Sequence, residues 1–288
     1  MGERLWKLAR RALPFGGRTL VMGVLNVTPD SFSDGGEFFA PARAVEHAAR
    51  MVAEGADILD VGGESTRPGS THVGAAEEIR RVVPVVEALA ARVPVPVSVD
   101  TTKARVARAA LAAGAEIVND ISGLRFDPSL ADEAARAGAG LVLMHSRGSR
   151  ETLHTLPPVA DIIAEVVESL GRSVEEALRR GVAREAIAVD PGVGFGKSQE
   201  QNVELLARVG LLARAFPDLP VLVGTSRKRF IGALTGGAST SDRLHGTMAS
   251  VTAAVLGGAA IVRVHDVRAA VETVRVADAI KQAAEARP

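Results

Sequence analysis

Residues 19–36, TLVMGVLNVTPDSFSDGG, join an apolar segment to a long polar loop, and the rest of the chain repeats this arrangement. The apolar part, TLVMGVLN at 19–26, is typical of a buried β-strand, and it ends on the polar residue Asn26. The loop that follows is much longer than a simple turn and carries Phe32 between two serines. Long loops at strand ends are where binding and catalytic residues concentrate.

Seven further apolar runs of strand length follow, and amphipathic helical segments separate them. The predicted strands are 57–63, 95–100, 116–120, 139–145, 187–192, 220–226 and 260–266. Continuous apolar strands covered by helices indicate a parallel sheet buried on both faces. Eight such units predict an α/β fold, a single (β/α)8 TIM barrel at 19–284, preceded by an N-terminal extension at 1–18. An open doubly wound sheet, the alternative, would more often have a glycine-rich turn after its first strand.

The composition excludes several classes of protein. Of the 288 residues 47% are hydrophobic, and 34 basic residues balance 34 acidic ones, so we expect no nucleic-acid partner. There is no apolar run of about 18 residues, so we expect no membrane partner. Cysteine is absent, which excludes disulfides, thiolate catalysis and cysteine-ligated zinc. The N-terminal sequence lacks the pattern of a secretory signal, so we expect a cytoplasmic protein.

Almost every predicted strand ends at or just before a polar or charged residue. These residues are Asn26, Glu64, Asp100, Asn119, Asp120, His145, Asp190, Ser226, Arg263 and His265. In a barrel they meet at the C-terminal mouth, where barrel enzymes carry their chemistry. Any one of them alone could cap a helix or start a turn, and we expect this of Asp120, beside the turn-like ISGL. The whole set indicates a functional site, because burying so many polar groups is costly unless they have partners.

One group of these side chains suits a flat, nitrogen-rich ring. Its members are Asp100, Asn119, Asp190 and Lys228. Carboxylates accept hydrogen bonds from N–H groups, while the amide and the ammonium serve ring nitrogens and a carbonyl. Phe195, in a neighbouring loop, offers an aromatic face to the same ring. The group predicts a heterocycle with an amino group beside a ring N–H.

A second group suits an anion. Arg263 and His265 stand two apart on one strand, so their side chains face the same way. GGESTRPGS adds Thr66, Arg67 and a backbone shaped by glycine and proline, and together these residues predict a phosphate or diphosphate site. An inward arginine can instead pair with a neighbouring aspartate, and for Arg263 alone both interpretations stand. Asn26 is a neutral oxygen ligand of the kind that Mg²⁺ accepts beside substrate phosphates.

Two loops carry further signals. PGVGFGKS at 191–198 is similar to a phosphate-binding P-loop, but Pro191 stands where the first glycine is required, so we interpret it as a barrel loop. Phe32 lies in the polar loop that follows the strand 19–26, and we expect this loop to form a lid over an aromatic substrate.

Seven motifs occur in an order that resembles the dihydropteroate synthase family. They are LNVTPDSFSDGG, DVGGESTRPG, VSVDT, VNDISG, DPGVGFGK, VGTSRK and IVRVHD. The likeness covers roughly residues 19 to 280, and seven ordered motifs are far more specific than one. The resemblance implies a (β/α)8 barrel and a transferase of folate synthesis. In its reaction p-aminobenzoate displaces pyrophosphate from 6-hydroxymethyl-7,8-dihydropterin diphosphate.

The resemblance also implies roles for single residues. The pterin would be held by Asp100, Asn119, Asp190 and Lys228. The diphosphate would contact Thr66, Arg263 and His265, with Mg²⁺ at Asn26. The aminobenzoate would lie against Phe32, Arg67, Pro68 and Ser226. Asp100, Asp34 and Lys228 form the predicted catalytic set, in which an aspartate stabilises a cationic pterin methylene. The family resemblance further implies a homodimer.

Two other functions remain open at this point. A pterin-dependent methyltransferase domain acting on methyl-tetrahydrofolate would share the pterin carboxylates. It would not need the Arg263–His265 pair or the STRPG and SRK loops. A barrel that binds a pterin without turning it over is the other alternative, and the intact lid loops argue against it.

Overall fold

Eight parallel strands close into a barrel that is surrounded by helices. The computed structural model describes residues 4–28, 40–65, 72–149, 152 and 156–286. The strands are β1 (Arg4–Lys7), β2 (Ala12–Phe15), β3 (Leu20–Asn26), β4 (Ile58–Gly62), β5 (Val97–Asp100), β6 (Ile117–Asp120), β7 (Gly140–Met144), β8 (Ile187–Asp190), β9 (Leu222–Gly224) and β10 (Ile261–Val264). The hydrogen-bonded order is β8-β7-β6-β5-β4-β3-β10-β9.

The circle is completed between β8 and β9, where Val189 pairs with Val221 in a single parallel bridge. The Val189 amide donates to the Pro220 carbonyl oxygen at 3.1 Å in the same place. The predicted (β/α)8 barrel is therefore confirmed, and its eight strands lie within the eight predicted segments.

One or two helices follow each strand of the barrel. They are α1 (Ala40–Ala53), α2 (Ala75–Ala90), α3 (Ala104–Ala112), α4 (Leu130–Ala137), α5 (Ile162–Arg179), α6 (Gln199–Ala207), α7 (Val209–Ala215), α8 (Arg229–Leu234), α9 (Leu244–Leu256) and α10 (Val267–Glu285). Their starts follow local chemistry: Asp161 accepts from two backbone amides at the start of α5, and Ser198 forms a capping box with Gln201 at the start of α6. None of the helices among these residues has the length and apolar content needed to span a bilayer.

Two apolar layers hold the barrel together. The larger layer lies between the strands and the helices, and residues such as Val61, Val99 and Leu141 are fully buried there. The smaller layer fills the inside of the barrel at the N-terminal ends of the strands, where Leu20 and Ile58 are packed. Burial of this kind is the main favourable term in the stability of the fold.

An antiparallel hairpin of β1 and β2 covers the N-terminal end of the barrel. Trp6 of β1 is fully buried in the inner apolar layer with Leu8 and Phe15, and its indole Nε1 donates to the Ala186 carbonyl oxygen at 2.8 Å. The sequence predicted only an extension at 1–18 and no strands within it. The domain limits at residues 19 and 284 stay a prediction.

Candidate active site

The side chains that face the inside of the barrel change from apolar to polar toward the C-terminal ends of the strands. Residues two apart on a strand share a face. The step from apolar to polar is Ile58 to Asp60, Ile117 to Asn119, Ala188 to Asp190 and Ile261 to Arg263. The apolar members belong to the inner layer, so the polar members form a second layer directly above it.

Four residues of this polar region form one hydrogen-bonded cluster. Arg263 donates from Nε to Asp60 Oδ2 at 2.6 Å and from Nη2 to Asp100 Oδ2 at 2.6 Å. Asn119 Nδ2 donates to the same Asp60 oxygen at 3.0 Å. Asp60 is fully buried, and its Oδ1 has no hydrogen-bond partner among the described residues. Asp60 thus fixes the positions of the predicted pterin amide and the predicted diphosphate arginine.

The cluster sets the charge states of its members. Burial raises the pKa of Asp100 to about 7, against the opposing effect of Arg263, and the nearby Asp60 carboxylate raises it further. Burial disfavours the charge on Arg263, but Asp60 and Asp100 outweigh this effect and raise its pKa. The guanidinium therefore stays charged, while Asp100 can exchange a proton near neutral pH.

Asp190 ends β8 and Lys228 follows β9, and both lie beside the loop that follows β8. Asp190 Oδ1 accepts from the Gly192 amide at 2.7 Å, and burial raises the pKa of this carboxyl against the opposing charge of Lys228. Burial lowers the pKa of Lys228 to about 8, with Asp190 opposing. Lys228 Nζ donates to the Val193 carbonyl oxygen and lies 4.6 Å from the ring centroid of Phe195. The structure thus brings Asp190, Phe195 and Lys228 together, and their assignment to a ring ligand stays a prediction.

Ser226 and His265 form a separate contact in the loops after β9 and β10. Ser226 Oγ lies 2.9 Å from His265 Nδ1 and accepts from the His265 amide at 3.1 Å. The next residue, Arg227, has a left-handed backbone with φ 59°, which is strained for a non-glycine residue and is typical of functional sites. Its guanidinium donates to both oxygens of Asp266, at 2.6 and 3.0 Å, and so ties the two loops together.

Asn26 ends β3 at a cleft of about 930 Å³ that His265 and Arg227 also line. A methyl group placed on Gly62 would lie 3.7 Å from Asn26 Oδ1 and 3.8 Å from Asp100 Oδ2, so these two oxygens face the same space. Among the described residues no group of three or more His, Asp or Glu side chains could hold a metal ion. One amide oxygen beside a carboxylate still fits Mg²⁺, which commonly takes one or two protein ligands and completes its shell with substrate phosphates and water.

The remaining predicted residues have different outcomes. Phe32, Asp34, Thr66, Arg67 and Pro68 lie outside the described residues.

Asp120 makes the expected turn, because its carboxylate accepts from the amides of Ser122 at 2.8 Å and Leu124 at 2.6 Å. Both interpretations of Arg263 remain compatible with its contacts, since the pairing with aspartates is present and the side chain lies at the mouth.

Sequence reasoning missed Asp60, because it stands inside an apolar strand and not at its end. The available signal was its position two residues after Ile58, which places a charge on the inward face of a buried strand. A buried carboxylate requires a partner, and within a strand whose backbone is paired in the sheet a side chain from another strand can supply one.

Comparison with known proteins identifies the class to which this barrel and its site belong. A family described as pterin binding enzyme matches residues 22–265. The dihydropteroate synthase of Synechocystis is 47% identical over 92% of this chain and 91% of its own length, and that of Mycobacterium leprae is 48% identical over 90% and 92%.

Solved structures agree with these relatives. The dihydropteroate synthase of Xanthomonas albilineans with 4-aminobenzoic acid is 44% identical, has a TM-score of 0.87 and matches 99% of this chain and 100% of its own. That of Burkholderia cenocepacia, complexed with 7,8-dihydropteroate, is 42% identical with a TM-score of 0.87, and 99% of each chain is matched. The chain therefore belongs to the pterin-binding enzymes and, among them, to the dihydropteroate synthase family.

Proposed function

We propose that this enzyme condenses 6-hydroxymethyl-7,8-dihydropterin diphosphate with p-aminobenzoate, giving 7,8-dihydropteroate and pyrophosphate. The observation that carries the proposal is the cluster in which Arg263 bonds to Asp60 and Asp100 while Asn119 bonds to the same Asp60. In this cluster, side chains suited to a heterocycle lie beside a side chain suited to an anion, which supports the proposal. The related structures that contain 4-aminobenzoic acid and 7,8-dihydropteroate support the same reaction.

The pterin ring is assigned to the space between the two halves of the polar layer. Asn119 and Asp100 serve one edge of the ring, while Asp190 and Lys228 serve the other. A carboxylate accepts from an amino group and a ring N–H, and an ammonium donates to a ring carbonyl or nitrogen. Phe195 lies beside Lys228 and limits the position of the flat ring. Bonds of this kind between charged and polar groups give direction as well as affinity.

The diphosphate is assigned to Arg263 and His265, with Thr66 as a further contact. The reaction breaks the bond between the pterin methylene carbon and the diphosphate oxygen, and the electron pair leaves with the diphosphate. Arg263 stays charged in the site, so it stabilises the negative charge that develops on the leaving group. Stabilisation of the positive charge that develops on the methylene is assigned to Asp100 or Asp34, and orientation of the ring to Lys228.

The aminobenzoate nitrogen then bonds to the methylene carbon, and the resulting ammonium loses a proton to solvent. The nucleophile is a neutral arylamine, so no strong base is needed. Ser226 is assigned to the aminobenzoate together with Phe32, Arg67 and Pro68. Ser226 also contacts His265, and this contact supports an aminobenzoate end that lies next to the diphosphate end.

Mg²⁺ is assigned to Asn26, which lines the same cleft as His265. When bound, the ion supplies positive charge that neutralises the diphosphate oxygens. Arg263 and His265 perform the same task from the protein side. We expect chelation of Mg²⁺ to weaken binding of the pterin diphosphate more than binding of a free pterin.

We also propose that two chains associate through α9 and α10, which pack against each other. On α10 Val276 is 62% exposed and Ile280 is 52% exposed, and at the end of α9 Leu256 is 45% exposed. Val276 and Ile280 are four residues apart on one helix and therefore share a face. Exposed apolar side chains that cluster in this way mark interaction surfaces. The cytoplasmic location stays a prediction from the sequence.

The test is release of pyrophosphate by the purified enzyme in the presence of Mg²⁺. We expect release only when the pterin diphosphate and p-aminobenzoate are both present, with one equivalent of 7,8-dihydropteroate formed. Release that does not depend on p-aminobenzoate would contradict the proposal. A methyltransferase or a non-catalytic pterin-binding barrel would release no pyrophosphate from the pterin diphosphate, whether p-aminobenzoate is present or not.

A further inference from the structure

We propose that Lys197 is a positioning residue for the pterin site, whose ammonium group holds the loop 191–197 in the shape that Phe195 and Lys228 require. This inference rests on the proposed function. Lys197 belongs to PGVGFGKS, the segment that is similar to a P-loop, and the pterin and diphosphate assignments give it no role. In a P-loop the lysine points toward a bound phosphate.

The Lys197 ammonium is surrounded by backbone carbonyl groups. Its Nζ donates to the carbonyl oxygens of Gly192 at 2.8 Å, Phe195 at 3.0 Å and His145 at 3.3 Å. An ammonium has three donors and no acceptor, so these three bonds use its whole capacity. Two of the carbonyls belong to the loop after β8, and the third belongs to the end of β7. Lys197 therefore joins two neighbouring loops and has no donor left for a phosphate.

Two glycines allow the loop to approach its neighbours this closely. Gly192 has φ 65°, and a methyl group on it would lie 1.8 Å from the His145 carbonyl oxygen. Gly194 has φ 87°, and a methyl group on it would lie 2.8 Å from Lys228 Cδ. Positive φ at these two positions is readily adopted by glycine alone. The loop is consequently packed against β7 on one side and against Lys228 on the other.

The other side of the same loop carries the contacts of the pterin site. Val193 accepts from Lys228 Nζ, the Phe195 ring lies 4.6 Å from that nitrogen, and the Gly192 amide donates to Asp190. Without the Lys197 ammonium, three carbonyl oxygens would converge on an empty space and repel one another. The two loops would then move away from each other, and Phe195 and Lys228 would no longer be held in their positions.

The charge on Lys197 is essential to this arrangement. A neutral amine has only two N–H donors, and its lone pair would face the third carbonyl. Burial lowers the pKa of Lys197 well below its ordinary value, and the Lys228 and Arg147 cations lower it further, while the Asp190 and Glu165 carboxylates oppose this effect. Three carbonyl oxygens directed at one nitrogen favour the charged form.

The first test replaces the cation by an apolar chain of similar length. We expect Lys197→Met to weaken binding of the pterin diphosphate about tenfold, measured by titration of pterin fluorescence. Its KM for the pterin diphosphate should rise by a larger factor than kcat falls. Lys281→Met, in the last turns of α10, is the matched control and should bind as the wild type does. Lys197→Gln, which keeps a neutral donor, replaces Lys197→Met if that variant does not fold.

Two results of this test would overturn the proposal. One is a folded Lys197 variant that binds the pterin diphosphate as tightly as the wild type. The other is failure of both variants to fold, since Lys197 would then support the whole barrel and not one loop. The wild type is measured in parallel, and its lack of pyrophosphate release would refute the proposed function while leaving the binding comparison valid.

The second test restores the cation from solution. Lys197→Ala removes three carbons and the nitrogen, which n-propylammonium chloride supplies as one molecule. We expect n-propylammonium to recover pterin affinity in Lys197→Ala, whereas sodium chloride at equal ionic strength should not. Equal effects of the two salts would contradict the proposal that an ammonium group is needed between the three carbonyls. Lys281→Met should respond to neither salt.

Discussion

Asp60 determines how the polar layer of the barrel is organised, because one of its oxygens accepts from both Arg263 and Asn119. The pairing compensates the cost of burying three polar groups inside the barrel. A buried ion pair of this kind contributes less to net stability than to geometry, but removal of one partner leaves the other charge uncompensated.

Asp60→Asn should therefore destabilise the protein strongly. We expect the free energy of unfolding in urea to fall by about 3–5 kcal/mol, and binding of the pterin diphosphate to weaken, because Arg263 loses a buried partner. Asp218→Asn is the matched control, because Asp218 pairs with Arg184 at the surface, where the two side chains are 49% and 44% exposed. A surface pair contributes about 0–1 kcal/mol. Equal losses in the two variants would contradict the role of Asp60.

The raised pKa of Asp100 predicts a pH dependence of stability. Its folded pKa of about 7 lies above the ordinary 3.8, so between about pH 4 and 7 the folded state holds a proton that the unfolded state releases. This group makes the free energy of unfolding fall as pH rises through that window, and it has no further effect above it. His145 acts in the opposite direction, because burial lowers its pKa to about 2 from 6.5.

Comparison with Asp100→Asn isolates the carboxyl group. Between pH 5 and 7 the slope of unfolding free energy against pH should be more positive in the variant than in the wild type. Urea denaturation at several pH values provides the measurement. Parallel slopes would mean that Asp100 titrates at its ordinary pKa in the folded enzyme.

At the scale of elements, the alternation of strands and helices could be predicted from the sequence, while the N-terminal hairpin could not. The apolar runs of β3 to β10 are continuous because both faces are buried. The hairpin strands RLWK and ALPF are short, and most of their side chains are exposed. Nothing in their spacing indicates that Trp6 enters the barrel, since that contact depends on residues about 180 positions away in the sequence.

Trp6 should be the main support of this end of the barrel. We expect Trp6→Ala to lower the free energy of unfolding by about 3–5 kcal/mol, because a large fully buried side chain leaves a cavity. Leu5→Ala is the control on the adjacent position, where the side chain is 45% exposed, and it should cost much less. Urea denaturation measures both. Similar small losses would mean that the hairpin is only loosely attached.

At the scale of the whole molecule, convergence of the strand ends explains why the site could be predicted. Asn119, Asp190 and Arg263 meet because a closed parallel sheet brings the ends of all its strands to one mouth. The hydrogen bonds within the site could not be predicted, because they depend on which strands are neighbours and on their register. Asn119 and Asp60 stand on β6 and β4, which are separated by β5, and only the barrel geometry shows that they meet.

The proposed dimer makes a prediction at this scale. Ile280→Glu places a charge on the exposed apolar face of α10, so the molecular mass from light scattering should fall from that of two chains to that of one. Leu178→Glu, on α5 with 37% exposure, introduces the same charge elsewhere and should leave the mass unchanged. A wild type that is already a single chain would refute the proposed association.

The pairing of β8 with β9, which closes the barrel, is the least extensive contact between neighbouring strands of the barrel. Neighbouring strands are aligned over three to five residue pairs, whereas β8 and β9 share the single bridge between Val189 and Val221. Asp190 ends one side of this gap and Lys228 follows the other, so a pterin bonded to both would bridge it. We expect the hydrogen bond between β8 and β9 to open locally in the free enzyme, which should give fast deuterium uptake at the Val189 amide. A bound pterin would join the two strands and slow deuterium uptake at Val189, while the amides of β3 and β4 should exchange at the same rate as in the free enzyme.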